Sequence, residues 1–503
     1  MASDVCNCYT DKTNDRSGGL VVFSSVVIIF GIISYVYATV RGLKDVYVIN
    51  NMGASSIYCA KVAVLFFVVL FTYLYTKIAK CVNRVSRFNI VVGFFLAFFV
   101  FFRFFVMSHS EALRMDSLAD YLCGGFPRFC AWWELVRYWH LAVLYIISEA
   151  WGVFVMNVLF WSFTNAIISP KRAKVWYFYF FTGAAIGSLG AGVFMKLLSD
   201  DRGVQYSIVI LLIVFLLVFY NGFEKYLCNH PELCSDVVVT NKKKVKLSFG
   251  ESIKFLLGSR YLRLVSYVVF GYYSFISFTE SIWKGLIGQY KDELKAKFLA
   301  AHPGMLDGAK KVAEDFTNDL YGTQSVAVGM FQLFLILFAA GFVAKKSWKF
   351  VAMFTPTVAL VLVSIFLAFL KSQSLFEFLT VFMGVSNTYV AIMIGLVIVV
   401  VIKSAKYIFF DSSKERSYIP LDEESKINGK AAIDATGSRI GKAAASIVIS
   451  FVLVPMFGDL ISAQWATFVF VFFALFLWLY AVNALSPEYE KKLEEYNASK
   501  SDA

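Results

Sequence analysis

Charged side chains stand inside some of the most apolar segments of the chain. The segment YVYATVRGLKDVYVI (35–49) carries Arg41, Lys44 and Asp45. Their spacings of three and four residues place all three on one face of a helix. Two interpretations fit such a face: long side chains that extend to a membrane surface, or the cationic wall of a water-filled cavity. A cationic wall could bind phosphate, because lysine meets it as a point charge and arginine as a two-pronged donor.

A carboxylate lies near the centre of another apolar segment. Glu149 stands in YIISEAWGVFVMNVLFWSFTN, which also carries the amide of Asn157. A charge at the centre of a membrane helix costs roughly 2.5–3.5 kcal/mol. An ion pair, a bound proton or an aqueous cavity would offset that cost. We therefore expect Glu149 either to form a buried salt bridge or to act as a gating or coupling charge, with Asn157 as a further candidate.

Two later segments carry charges in the same way. In SFISFTESIWKGLIG, Glu280 and Lys284 are four residues apart, so they could pair within one helix or act as gating charges. The segment AAIDATGSRIGKAAAS carries Asp434, Arg439 and Lys442. We predict two groups of site residues, with Asp434 as a further candidate: the anion-binding cations Arg41, Lys44, Arg439 and Lys442, and the gating or coupling charges Asp45, Glu149, Glu280 and Lys284.

The composition requires that a bilayer surrounds much of the chain. Of 503 residues, 59% are hydrophobic and 16% are charged, against about 25% charged in soluble domains, and the mean hydropathy is +0.67. The net charge of +12 fits the excess of lysine and arginine on the cytoplasmic side of membrane proteins. Nucleic acid is not an expected partner, because no basic strip alternates with aromatic residues. The spacing of the cysteines and histidines predicts neither a metal site nor a cofactor.

Hydropathy predicts an all-α integral membrane protein with twelve transmembrane helices, since about 20 apolar residues cross a bilayer. The basic stretch 224–261 would join two six-helix halves, 20–223 and 262–484, between cytoplasmic tails at 1–19 and 485–503. The predicted spans are 20–42, 57–77, 88–107, 136–167, 174–198, 205–223, 262–288, 321–344, 348–370, 377–403, 431–456 and 462–484.

The loops predict the orientation of the chain. Lysine and arginine concentrate after every second span, beginning with the second, so both termini are predicted to be cytoplasmic. The loop 289–320 is an exception, in which acidic residues offset the lysines, and we expect a short surface helix there. Cys123 and Cys130 share one predicted outside loop, where a disulfide and two free thiols are both open interpretations.

Several of these segments together resemble a known family. RGLKD (41–45), SEAWGVFVMNVLFWSFTN (148–165), TESIWK (279–284) and above all KYIFFDSSKERSYIPLDEESKINGKAAID (406–434) are similar to the nucleotide transporter (ATP/ADP translocase) family of plastids, obligate intracellular bacteria and parasites. The resemblance runs from the first span to the eleventh. It implies a major-facilitator-like fold and either ATP/ADP exchange or proton-coupled nucleotide import. The family's important charges fall on Lys44, Glu149, Glu280 and Lys442.

The chain departs from the family pattern beside these charges. Ala150 replaces a leucine, Ser162 and Thr164 replace a glycine and an alanine, and Ala443, Ala444 and Ala445 replace Ser-Gly-Gly. Because other members carry other nucleotides, and a few carry NAD, these positions bear on which nucleotide is transported. The expected partners are ATP and ADP, the lipid bilayer of a bacterial inner membrane and, in the import alternative, protons. A monomer would complete this architecture.

Other classes of membrane protein explain the sequence less well. An integral-membrane enzyme would need paired Asp or His residues at catalytic or metal-binding spacing, and none is evident. A receptor would carry a substantial soluble domain. A major-facilitator carrier of a drug, a sugar or another organic anion would have fewer intramembrane charges of both signs. The prediction is therefore an alternating-access nucleotide carrier that is not an enzyme.

Overall fold

A computed structural model describes residues 16–168, 170–199, 201–234, 256, 258–372, 378, 381, 384–422, 429, 433 and 438–501. Its first six long helices form the N-terminal half and the next six the C-terminal half. The N-terminal half comprises α1 (Arg16–Asn51), α2 (Ser56–Cys81), α3 (Arg84–His109), α4 (Trp139–Ile167), α5 (Pro170–Leu197) and α6 (Arg202–Asn229). The C-terminal half comprises α7 (Arg260–Ala301), α8 (Leu306–Phe338), α9 (Trp348–Lys371), α10 (Asn387–Ser417), α11 (Ile440–Phe457) and α12 (Gln464–Ser501).

Polar side chains fix where several helices begin. Asn83 accepts a hydrogen bond from the backbone N–H of Ser86 at 2.7 Å, just before α3. Asp201 accepts one from the backbone N–H of Val204 at 3.0 Å, just before α6. These side chains satisfy backbone donors that the first helical turn leaves free.

The predicted membrane architecture is confirmed. Within the described residues, 11 helices are long and apolar enough to cross a membrane. The twelfth, α7, has 42 residues and covers the predicted seventh span. Glu280 and Lys284 interrupt its apolar stretch. Both residues are among the predicted site residues, so α7 positions part of the candidate site.

Three segments outside the predicted spans differ from the prediction. The expected loop 289–320 is mostly an extension of α7 and α8, which meet in a short turn, so the separate surface helix predicted there was wrong. The tenth helix runs from Asn387 to Ser417 instead of ending at 403. The last helix continues through Ser501, which covers most of the predicted tail. In each case the helix continues through a run of charged residues that resembles a loop in the sequence.

The connection between α3 and α4 is also structured. Two short helices, Asp116–Gly125 and Cys130–Arg137, fill it. A disulfide joins Cys123 to Cys130, whose Cα atoms are 5.0 Å apart. The second helix reaches the other half, since Nε1 of Trp132 donates to the carbonyl of Ser450 at 3.3 Å. The disulfide interpretation of these two cysteines is therefore the one that the structure contains.

Small residues allow α5 to pack closely on both halves. On one side, a Cβ at Gly187 would collide with the backbone of α1 at Gly31. On the other side, a Cβ at Gly192 would collide with the backbone of α8 at Gly322, and the Ser188 hydroxyl donates to the carbonyl of Ser325 at 3.3 Å. The small residues of the fifth span therefore serve helix packing.

This packing predicts a matched pair of substitutions. Gly187→Ala should lower the melting temperature in detergent by several degrees, because the new methyl group has no space against Gly31. Gly190→Ala should have little effect, since its Cβ would meet the Tyr35 ring at an ordinary 3.5 Å. Equal melting temperatures for the two variants would contradict a close α1–α5 contact. Fluorescence-detected thermal unfolding of both variants makes the comparison.

Candidate functional site

The first group of charges, which we call the Asp45 cluster, consists of Lys44, Asp45, Glu149 and Lys284. Asp45 accepts from Nζ of Lys44 at 2.9 Å and from Nζ of Lys284 at 2.7 Å. Lys44 also pairs with Glu149 at 2.9 Å and lies 3.7 Å from the centre of the Tyr145 ring. Lys284 belongs to α7 and the other three to α1 and α4, so this cluster joins the two halves.

The second group, which we call the Glu280 cluster, surrounds one carboxylate with three cations. Glu280 of α7 pairs with Lys403 of α10 at 2.7 Å and with Arg41 of α1 at 3.4 Å. Lys61 of α2 lies 3.9 Å from its other oxygen. Four helices, two from each half, thus converge on Glu280. This cluster carries two more positive charges than negative ones.

Lys442 and several aromatic rings lie beside the charge clusters. The Lys442 ammonium is 5.0 Å from the centre of the Tyr273 ring and close enough to Glu149 to interact with it electrostatically. Its side chain is exposed to solvent. Tyr407 of α10 packs on Phe181 of α5, with ring centres 4.9 Å apart. The rings offer flat faces for stacking beside the cations.

A π-helical segment shapes the wall beside Glu149. Residues Gly152–Leu159 form π-helix, and Asn157 donates to the carbonyl of Gly152 at 2.7 Å. The Tyr37 ring rests directly on Gly152, where no side chain would fit. The Asn157 side chain is exposed. Single π turns inside α-helices are frequent at functional sites.

The side chains of the two clusters differ in their exposure to solvent. The side chains of Lys44, Asp45 and Lys284 are at most 4% exposed. Those of Arg41, Lys61 and Lys403 are 35%, 19% and 17% exposed. Water therefore reaches the Glu280 cluster, whereas the core of the Asp45 cluster is sealed.

The halves meet at the face of the bundle where α1 ends, which we call the closed face. There Nζ of Lys291 donates to the carbonyl of Ile49 at 3.0 Å, and Arg202 pairs with Glu314. A cavity of about 580 Å³ lies at this face and is lined by Tyr47, Arg202, Lys310 and other residues of both halves. The described part of the structure is thus closed at this face.

Most of the predicted site charges come together, but two of the simpler interpretations were wrong. Lys44 does not extend to a membrane surface, because its side chain is 1% exposed and paired twice. Glu280 and Lys284 do not pair within α7, since they contact Lys403 and Asp45 respectively. Glu149 does form a salt bridge, yet its side chain is 23% exposed. Asp434 and the side chain of Arg439 lie outside what the structure describes.

Sequence reasoning missed Lys61 and Lys403. Lys61 stands alone in the apolar run YCAKVAVLFF, where a charge inside a predicted span was itself a signal. Lys403 is the last residue of the predicted tenth span, 377–403, where a lysine is typical of the membrane surface. The helix continues through KSAKYIFFDSSKERS, in which Nζ of Lys406 pairs with Asp411 at 2.6 Å.

The interior site therefore carries an excess of positive charge. Across the described residues it contains six cations and three carboxylates. Cations enclosed by protein without equal counter-charge are costly unless an anion accompanies them. No group of three His, Cys, Asp or Glu side chains in the described ranges is placed to hold a metal ion. The arrangement suits a multiply charged anion that carries a flat ring.

Comparison with known proteins agrees with this description. The chain is 28% identical over 477 residues to ADP,ATP carrier protein 1 of Rickettsia prowazekii (strain Madrid E), covering 90% of both chains. It is 30% identical over 455 residues to ADP,ATP carrier protein 1 of Chlamydia trachomatis, covering 85% of this chain and 81% of the relative. It is 29% identical over 488 residues to the chloroplastic ADP,ATP carrier protein 2 of Arabidopsis thaliana, covering 93% and 74%.

A solved structure and a family model complete the comparison. The nucleoside transporter NupG matches with a TM-score of 0.52 at 12% identity, over 92% of this chain and 99% of that one, and this likeness concerns the fold alone. The family model described as TLC ATP/ADP transporter matches residues 19–489. That match spans both six-helix halves and contains both charge clusters, so the chain is a member of the TLC ATP/ADP transporter family.

Proposed function

We propose that this protein exchanges ATP for ADP across a membrane by alternating access. The observation that supports this most strongly is the excess of cations in an interior space shared by both halves. Nucleotides combine the polyphosphate that such cations would bind with a base that could stack on the nearby rings. The relatives named as ADP,ATP carriers point to the same substrate pair.

The predicted site residues have distinct roles in this mechanism. Arg41, Lys44 and Lys442, together with Arg439, hold the phosphates. Glu149 and Glu280 pair with these cations in the empty carrier, and the arriving phosphates take over those pairings. Asp45 and Lys284 connect the halves at the closed face, so they must separate when that face opens. The halves then rock around the bound nucleotide and expose it to the other side.

The charge excess favours exchange over net import. An empty carrier would have to move unmatched interior cations through the closed intermediate, whereas a loaded carrier moves with its charges matched. Proton-coupled import of other nucleotides or of NAD remains the alternative, in which a carboxylate would carry the proton. Transport of another organic anion by a major-facilitator carrier is a more distant alternative.

The loop charges support an orientation for the protein, and its bacterial relatives support a membrane for it. We place both termini in the cytoplasm of a bacterium and the protein in its inner membrane, as a monomer of two halves joined by the basic linker. In this orientation the closed face lies outside. The interior space then opens toward the cytoplasm, as in an inward-facing carrier.

Uptake into liposomes tests the proposal. Purified protein is reconstituted, and uptake of labelled ATP is measured into vesicles that contain ADP and into empty ones. Uptake that requires internal ADP is expected. Uptake into empty vesicles that rises with an inward proton gradient would instead support net import, and no uptake of any nucleotide or NAD would reject nucleotide transport.

Lys44→Ala and Lys442→Ala should each reduce exchange strongly. A hydrogen bond to a charged group is worth about 1.5–3 kcal/mol, so the rate at low ATP concentration should fall by about tenfold or more. Lys442 gives the clearer result, because its exposed side chain can be removed without breaking a buried ion pair. The control is Lys349→Ala, an exposed lysine at the start of α9. Unchanged exchange at normal protein level would remove the substituted lysine from the site.

A further inference from the structure

We propose that Arg41, Lys61 and Lys403 form a subsite for the terminal phosphates of the nucleotide, and that Glu280 occupies it when no substrate is bound. The subsite would distinguish di- and triphosphates from monophosphates. This inference rests on the proposed nucleotide transport, and Lys61 and Lys403 are the new residues that it assigns.

The first argument is geometric. One Glu280 oxygen lies 2.7 Å from Nζ of Lys403 and 3.4 Å from the Arg41 guanidinium, and the other lies 3.9 Å from Nζ of Lys61. The cations come from three helices, and the carboxylate comes from a fourth. A phosphate group has the charge and the several acceptor oxygens needed to take the position of that carboxylate among the same three donors.

The second argument is the charge balance of the Glu280 cluster. A structural ion pair needs one cation for each carboxylate, and the Asp45 cluster has that balance, with Lys44 and Lys284 against Asp45 and Glu149. Around Glu280, three cations share a single carboxylate. The two unmatched charges would be costly inside the bundle unless an anion of at least two charges could join or replace Glu280.

The third argument is access. Glu280 is itself 6% exposed, but the three cations around it reach the water-filled interior space. A ligand could therefore meet Arg41, Lys61 and Lys403 before it displaces the carboxylate. Aromatic rings support two of these cations, since Lys61 lies 4.5 Å from the centre of the Tyr58 ring and Arg41 lies 5.8 Å from that of Tyr37.

The position of the subsite explains why it would distinguish nucleotides by their number of phosphates. Lys442 lies against the Tyr273 ring, whereas Lys61 and Lys403 lie at Glu280, so a nucleotide held by Lys442 would need a chain of phosphates to reach them as well. A diphosphate or triphosphate extends far enough to meet cations of both halves. A monophosphate would leave one set unpaired. Discrimination should therefore depend on Lys61 and Lys403 more than on Lys442.

The test compares ADP with AMP in four forms of the full-length protein: the wild type, Lys61→Gln, Lys403→Gln and the control Lys310→Gln, which alters an exposed lysine of α8. Binding is measured in detergent by isothermal titration calorimetry. We expect each of the first two substitutions to weaken ADP binding by about tenfold or more and to change AMP binding by less than about threefold. Lys403→Arg should restore much of the preference for ADP, because it restores the charge.

Three results would overturn the subsite. The first is an equal loss of ADP and AMP affinity in Lys61→Gln and Lys403→Gln, which indicates a merely structural role. The second is an unchanged preference for ADP in both variants. The third, which needs only the wild type, is a failure of inorganic pyrophosphate to compete with ADP.

Pyrophosphate also separates this inference from the proposed function. Wild-type protein that transports no nucleotide, but is stabilised by pyrophosphate in a manner that Lys403→Gln abolishes, would reject nucleotide exchange and support the polyphosphate subsite. Nucleotide exchange with unchanged ADP preference in both variants would support the function and overturn the subsite.

Discussion

Replacing Asp45 by Asn is expected to destabilise the closed face more than any other single change in the site. Asp45 is the only carboxylate within salt-bridge distance of Lys284 among the described residues, and both side chains are at most 4% exposed. Breaking a buried ion pair by removing one partner costs about 3–5 kcal/mol, because the other charge stays buried and unpaired. The melting temperature in detergent should fall by several degrees, and the equilibrium should shift away from the conformation closed at this face.

Two readouts measure these effects. Thermal unfolding reports the stability, and the labelling rate of a cysteine introduced at Thr317 reports opening, because Thr317 is buried beside Asn50 at the closed face. The labelling background should lack Cys6, Cys8, Cys81, Cys228 and Cys234, which leaves the buried Cys59 and the Cys123–Cys130 disulfide. We expect Thr317→Cys to react with an impermeant thiol reagent much faster when Asp45→Asn is present.

A charge-balanced variant and a surface variant serve as controls. Adding Lys284→Met to Asp45→Asn removes both buried charges, so stability should largely return. Asp116→Asn breaks ion pairs in which the carboxylate is 46% exposed, and exposed pairs contribute only about 0–1 kcal/mol. If Asp45→Asn were no more harmful than Asp116→Asn, or if Lys284→Met failed to rescue it, the buried pair would not hold this face closed.

The membrane helices were largely predictable from the sequence because the signal for a membrane span is local. Twenty apolar residues in a row identify a span whatever surrounds it. The same reasoning identified Lys44, Glu149, Glu280 and Lys442, since each interrupts such a run. The boundaries of α10 and α12 were less predictable. In α10, Lys403 pairs with Glu280 of α7, and Lys406 pairs with Asp411 one turn further along the same helix. In α12, the charged residues extend the helix beyond its apolar part.

The pairings within the site could not be predicted, because they depend on how distant helices pack. Asp45 and Lys284 are 239 residues apart and meet across the two halves. At the level of one helix, the spacing of Glu280 and Lys284 favoured an internal pair that does not form. Lys61 was overlooked because a single lysine near the start of a span resembles an interfacial residue. Only its convergence with Lys403 and Arg41 on one carboxylate gives it a role.

The two clusters suggest how binding and gating are connected. Glu280 and Lys284 lie one turn apart on α7 and belong to different clusters. A phosphate that displaces Glu280 would act on the same helix whose Lys284 is paired with Asp45 at the closed face. Substrate binding and opening of that face would then be coupled through the movement of α7 rather than through direct contact of the nucleotide with Asp45.

Glu280→Gln should separate binding from turnover. Without the carboxylate, the phosphates of ADP no longer compete with an internal anion, so the apparent KM for ADP should fall by about tenfold. Release should become slower, because nothing replaces the departing phosphates among Arg41, Lys61 and Lys403. The maximal exchange rate should therefore fall by about tenfold or more. Reconstituted exchange measured over a range of ADP concentrations gives both quantities.

Stability in the absence and presence of ADP provides the independent check on Glu280. The unloaded Glu280→Gln protein keeps three cations around an uncharged amide, so its melting temperature should be lower than that of the wild type. The same high ADP concentration should stabilise the variant more than the wild type, since the stabilisation by a ligand increases with the logarithm of its affinity for the folded state. Glu280→Asp retains the negative charge and should show smaller changes in both quantities. A raised KM together with a normal maximal rate in Glu280→Gln would mean that Glu280 contacts the nucleotide directly, and that it does not take the place of the phosphates in the empty carrier.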